Sequence, residues 1–75
     1  MATLDQLRAG EKGRIQAVAG ELALVQRLLE LGLLDGEEVQ VLAIAPLGDP
    51  IEIGFGFSRV SLRRREAAGI QVERV

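Results

Sequence analysis

Between Pro50 and Ser58 apolar side chains occupy every second position, Ile51, Ile53, Phe55 and Phe57, with Glu52, Gly54 and Gly56 between them. A period of two is the repeat of a pleated strand with one face in a core and the other toward water. The alternation therefore predicts a strand over 51–57 with both phenylalanines pointing inward. After it the phase slips by one residue, because Ser58 and Arg59 both precede the next apolar pair, Val60 and Leu62. A bulge or tight turn is expected there. Upstream, Glu38 to Ala45 is rich in β-branched residues, with Val39, Val41 and Ala43 on one face and Gln40, Leu42 and Ile44 on the other. Both faces of this second strand are expected to be partly buried. Pro46 and Pro50 bracket Leu47, Gly48 and Asp49, and each proline biases the residue before it away from the helical region, so a hairpin loop joins the two strands.

The rest of the chain adds shorter elements. Thr3 and Gln6 have the spacing of a capping box, which predicts a helical turn over 3–9 closed by Gly10. From Lys12 to Val18, Ile15 and Ala17 alternate with Arg14 and Gln16, the pattern of a half-buried strand ending at Gly20. Over 21–31 the period changes to that of a helix: Leu22, Leu24, Val25, Leu28, Leu29 and Leu31 fall on one side, opposite Ala23, Gln26, Arg27 and Glu30. Gly32 ends it and Asp35-Gly36 turns the chain. Glu66 to Gly69 makes a last helical turn before a final strand starting at Ile70 and Val72.

With 75 residues and no Cys, this chain has to stabilise itself by packing one shared core. The core is aliphatic, since Leu, Val and Ile supply 24 positions against two Phe. About five strands and one helix are too few for two sheets. The fold class is mainly β: a small SH3-like barrel with one inserted amphipathic helix and short helical turns, one domain over 1–75. The first dozen residues carry Asp5, Arg8, Glu11 and Lys12 with no apolar run, so a cytoplasmic location is expected. No stretch is long and apolar enough to insert in a bilayer.

The chemistry that the side chains permit is narrow. There is no His, and the only hydroxyls, Thr3, Ser58 and Ser61, lack an accompanying base, so no catalytic residue and no enzyme activity are expected. Without imidazole or thiolate ligands no selective transition-metal site or cofactor is expected either, and Asp35, Glu37 and Glu38 read as a solvated acidic turn. The net charge of −2 and the lack of interleaved aromatics exclude nucleic acid as a partner.

What remains is protein recognition. The helix has an apolar arc wider than a surface helix needs to cover a core. Leu24, Leu31 and, beyond the cap, Leu34 form its exposed shoulder, a docking face and a place for weak self-association. Gly54 and Gly56, on the strand face opposite the phenylalanines, leave bare backbone where another chain can approach. Arg59, Arg63 and Arg65, with Arg64, form a cationic run able to meet acidic or phosphate-bearing groups. The loop residues Pro46, Gly48, Asp49 and Pro50 add a further contact point.

The order and spacing of several segments carry a resemblance. Arg27 followed by Leu28-Leu29-Glu30-Leu31-Gly32-Leu33, then Gly36 and Val39, Ala45-Pro46-Leu47-Gly48-Asp49-Pro50-Ile51, Leu62-Arg63-Arg64-Arg65-Glu66-Ala67 and Ile70-Gln71-Val72 together resemble the FeoA family. The resemblance covers 3–72 and implies an SH3-like barrel. It also implies an accessory role in bacterial ferrous iron uptake, beside FeoB, a membrane ferrous permease with its own cytosolic GTPase domain. The same domain occurs fused to iron-dependent repressors, so the alternative implied is a stand-alone metal-dependent regulatory domain with weak transition-metal binding.

Overall fold

The computed structural model describes residues 1–75. Six antiparallel strands form one curled sheet: β1 (Ala2–Thr3), β2 (Lys12–Val18), β3 (Glu38–Ile44), β4 (Ile51–Phe55), β5 (Ser58–Leu62) and β6 (Ile70–Arg74). Their order across the sheet is β1-β6-β2-β3-β4-β5. A 3-10 turn at Leu4–Gln6 follows β1, helix α1 (Leu22–Glu30) follows β2, and helix α2 (Arg64–Ala67) joins β5 to β6. The sheet wraps a single core of 16 buried apolar residues that contains no polar side chain.

The sequence expectation of five strands is one short. The addition is β1, two residues that pair with β6 through Ala2 opposite Val72 and Thr3 opposite Gln71. The expected turn over 3–9 contracts to Leu4–Gln6, fastened as its spacing predicts by Thr3 N donating to Gln6 Oε1 at 3.1 Å. Helix α1, expected over 21–31, spans Leu22–Glu30 with Glu21 and Leu31 as its caps, and it ends for a local reason. Gly32, at φ +102°, takes the left-handed conformation, Gly32 N donates to Leu29 O at 3.0 Å and Leu33 N to Leu28 O at 2.9 Å. This is a Schellman cap, and the apolar contact that accompanies such caps is met here by Leu28 and Leu33, both fully buried.

Two strands depart from simple alternation. Between Val41 and Ala43 the pairing with β4 shifts by a residue, so Leu42 is a bulge. Val39 and Val41 are buried, but Ala43, expected on the same face, is exposed because the bulge reverses the phase. A second bulge at Gln16 separates Ile15 from Ala17 in the β2–β6 pairing.

The phase slip near Ser58 resolves into a two-residue hairpin turn. Phe55 pairs with Ser58, leaving Gly56 and Phe57 at the tip. Positive φ at Gly56 (+56°) and not at Phe57 is the signature of a type II′ turn, which suits the twist of the flanking strands. The expectation that both phenylalanines point inward is corrected here. Phe55 is buried, whereas Phe57 is fully exposed, because β4 ends before it and the turn carries it out of the sheet.

Candidate partner-docking surface

Of the nine residues of α1 only Leu28 is fully buried, with Leu24 and Val25 half-buried. The helix lies alongside β5. Its end is tied there by Ser58 Oγ donating to Leu31 O at 3.4 Å, and Arg27 shares a surface hollow with Ser61, Leu62 and Arg63. Much of the leucine arc is left to water. Leu22 is 71% exposed, Leu29 45%, Leu31 42% and Leu34 52%. The shoulder therefore includes Leu31 and Leu34 as the sequence predicts, but Leu24 leaves it, because it packs against the core cluster. Leu22 and Leu29, seven positions apart, are exposed on the opposite flank of the helix, about 160–180° around it from Leu31.

The arginine run is not one patch. Arg59 meets Glu52 at 3.8 Å across the β4–β5 pair. Arg64 is a clasp: Nε donates to Gly48 O at 3.0 Å, Nη1 to Asp5 O at 2.8 Å, and its main-chain N to Asp49 Oδ1 at 3.1 Å. One side chain thus ties α2 to the β3–β4 loop and to the turn after β1. Arg63 and Arg65, on either side, project into solvent.

The loop residues have a local role in this clasp. Gly48, at φ +89°, presents the carbonyl that Arg64 grips, and Asp49 holds the first turn of α2. Pro46 and Pro50 are exposed beside Leu47, which stands at the tip 97% exposed. The two glycines read from the sequence as one bare face separate. The space above Gly54 is occupied, since a β-carbon there would lie 3.0 Å from Leu42 Cδ1. The bulge at Leu42 has laid its side chain over Gly54, so that backbone is not open to an incoming chain. Gly56 belongs to the hairpin turn, with open space around it.

No group of three or more Asp and Glu side chains gathers as a metal would require. Glu38 instead pairs with Lys12 at 3.7 Å. No helix is long and apolar enough to cross a bilayer. The strongest features of this surface are thus the uncovered leucines on the two flanks of α1 and the unpaired cations beside it.

Comparison with known proteins gives the same picture from three directions. The FeoA domain model matches residues 2–74. Over 70 residues the chain is 39% identical to the Fe(2+) transport protein A/Fe(2+) transporter FeoB fusion protein of Porphyromonas gingivalis, covering 93% of this chain and 8% of that protein. The chain thus spans under a tenth of that relative's length. Among solved structures, the FeoA protein of Chlorobium tepidum superposes with a TM-score of 0.93 at 42% identity, covering 99% of this chain and 70% of that one. The zinc complex of Stenotrophomonas maltophilia FeoA, described as a prokaryotic SH3 domain protein, gives 0.83 at 34% identity, covering 97% and 91%.

Proposed function

This chain belongs to the FeoA family of ferrous iron transport accessory domains, and from that membership we propose that it is a non-enzymatic, cytoplasmic module that docks on the FeoB permease and modulates its transport or nucleotide cycle. The observation that carries the reading is the α1 face. A domain this small normally buries most of a leucine-rich helix, yet four leucines here remain 42–71% exposed on and just beyond α1. They flank the buried Leu28 on two sides, Leu22 with Leu29 on one and Leu31 on the other, with Leu34 just beyond the cap, and an exposed apolar flank of that kind fits a groove or helix of a partner. The relative in which both proteins form one chain supports the choice of partner. The absence of His and Cys, with three hydroxyls and no base, supports a role without catalysis.

Binding of the chain to the cytosolic domain of FeoB, measured by calorimetry, tests the proposal. Leu31→Glu with Leu34→Glu should leave the domain folded and abolish binding, and should remove any effect on nucleotide hydrolysis by FeoB. Wild-type protein that does not bind, or a double variant that binds unchanged, would refute it.

A further inference from the structure

The turn between β4 and β5 carries a side chain that the fold does not use. Phe57 is one of only two aromatic residues in the chain, and it stands fully exposed while Phe55, two positions earlier, is buried. Gly56 alone supplies the positive φ that the turn needs, so the second central position would accept a small polar residue equally well. The ring adds nothing to the core, and the two-residue turn holds its backbone in place. An aromatic side chain on a fixed backbone loses little freedom when it is covered, and it brings about 150–250 Å² of surface to the contact.

A single exposed apolar residue would need no explanation, but Phe57 has apolar company. It lines an open hollow over β3–β5 with Leu42, Lys12, Glu38 and Arg59. Each charged group there has a partner, Lys12 with Glu38 at 3.7 Å and Arg59 with Glu52 at 3.8 Å, which leaves the apolar side chains as the groups still free to bind. From the hairpin the surface runs on to the end of α1, because Ser58 Oγ donates to Leu31 O at 3.4 Å. Leu34 follows, its carbonyl accepting from Glu37 N at 3.0 Å, one residue before Glu38 of the hollow.

Both ends of the domain lie at this surface. Val75 N donates to Lys12 O at 3.2 Å, and Ala2 pairs with Val72, so Met1 also stands at the C-terminal end of β6. In the Porphyromonas gingivalis relative the domain and the transporter share one polypeptide. From whichever end of the domain that polypeptide continues, it leaves by the end of β6, which Val75 ties to Lys12 at the hollow.

We propose that Phe57 is the anchor of the docking surface, inserting into an apolar cleft of the cytosolic domain of FeoB with Leu31 and Leu34 beside it. The inference rests on the docking reading above and names the side chain on which that contact centres.

The whole chain labelled with 4-fluorophenylalanine gives one fluorine NMR signal for each of its two phenylalanines. On addition of the FeoB cytosolic domain the Phe57 signal should move saturably and lose its solvent isotope shift, and the Phe55 signal should do neither. In calorimetry Phe57→Ser should weaken binding about thirtyfold, the loss expected of an aromatic hot spot, and the variant should melt with the wild type. Leu47→Ser, as exposed but on the β3–β4 loop, should bind unchanged. Binding by Phe57→Ser at wild-type strength, with loss on Leu31→Glu and Leu34→Glu, would overturn the anchor and leave the docking reading intact. An equal loss from Leu47→Ser would also overturn the anchor. A Phe57 signal that moves with the concentration of the chain alone would make the hairpin a contact between two copies and overturn the proposal, whereas wild-type protein that does not bind would refute both readings.

Discussion

Replacing Gly69 by alanine is a severe change in a place where no unusual φ demands glycine. The added β-carbon would lie 2.3 Å from Ala19 O and 3.2 Å from the carbon of that carbonyl. Both are main-chain atoms at the end of β2, so no side-chain rotation relieves the overlap, and the two segments must separate by about 1 Å to restore ordinary contact. That movement stretches the hydrogen bond from Ala19 N to Gly69 O, 2.8 Å in the native chain, past useful length. Overpacking costs about 1–3 kcal/mol, the hydrogen bond about 1 kcal/mol, and the stiffer unfolded chain returns about 0.4–1 kcal/mol. A net loss of about 1–3.5 kcal/mol follows, centred near 2, out of the roughly 4–11 kcal/mol that a chain of this size possesses. Thermal unfolding followed by circular dichroism should show a melting temperature lower by about 10–20 °C. Gly54→Ala is the control, because its β-carbon would meet only Leu42 Cδ1, the far end of a flexible side chain, at 3.0 Å. A Gly69→Ala protein that melts with the wild type, or no lower than Gly54→Ala, would refute the steric argument.

Arg64→Ala should cost about 2 kcal/mol, since it removes charged hydrogen bonds to Gly48 O and Asp5 O, whereas Arg63→Ala should stay within about 0.5 kcal/mol; urea midpoints measure both. Leu28→Glu places an unpaired charge where exposure is 0% and should abolish the cooperative transition, while Leu34→Glu should melt as the wild type does. Ferrous iron should bind no more tightly than millimolar, because the ligands are carboxylates that no fold element gathers; anaerobic calorimetry showing a stoichiometric micromolar site would contradict this.

What the sequence disclosed is what local chemistry determines. The stop of α1 was readable because Gly32 and Leu33 terminate it through contacts within five residues. Ile51, Ile53 and Phe55 were readable because their period matches their burial. Phe57 continues that period by coincidence, and the overriding signal was Gly56, the residue type a type II′ turn requires at its first central position. The bulge at Leu42 and the strand at Ala2–Thr3 leave no local mark, since one depends on partner register and the other on a strand almost 70 residues away. The four arginines of 59–65 look alike as text. Only the fold separates Arg59, paired, and Arg64, clasped, from Arg63 and Arg65, and brings Arg27 from α1 to join them. The constraint at Gly69 is equally non-local, because its neighbour Ala19 approaches from β2.

The order of synthesis and the order of the sheet run against each other. Of the six strands β6 is made after the other five, yet it lies between β1 and β2. Until the ribosome releases Ile70–Arg74, β1 has no neighbour and one side of β2 is unpaired, so the nascent domain holds its apolar face open while the other five strands are made. Closure then needs contacts between the two ends of the chain, which makes folding slow for its length. A stop codon at Ile70, which removes β6, should yield an aggregating product rather than a weakened domain.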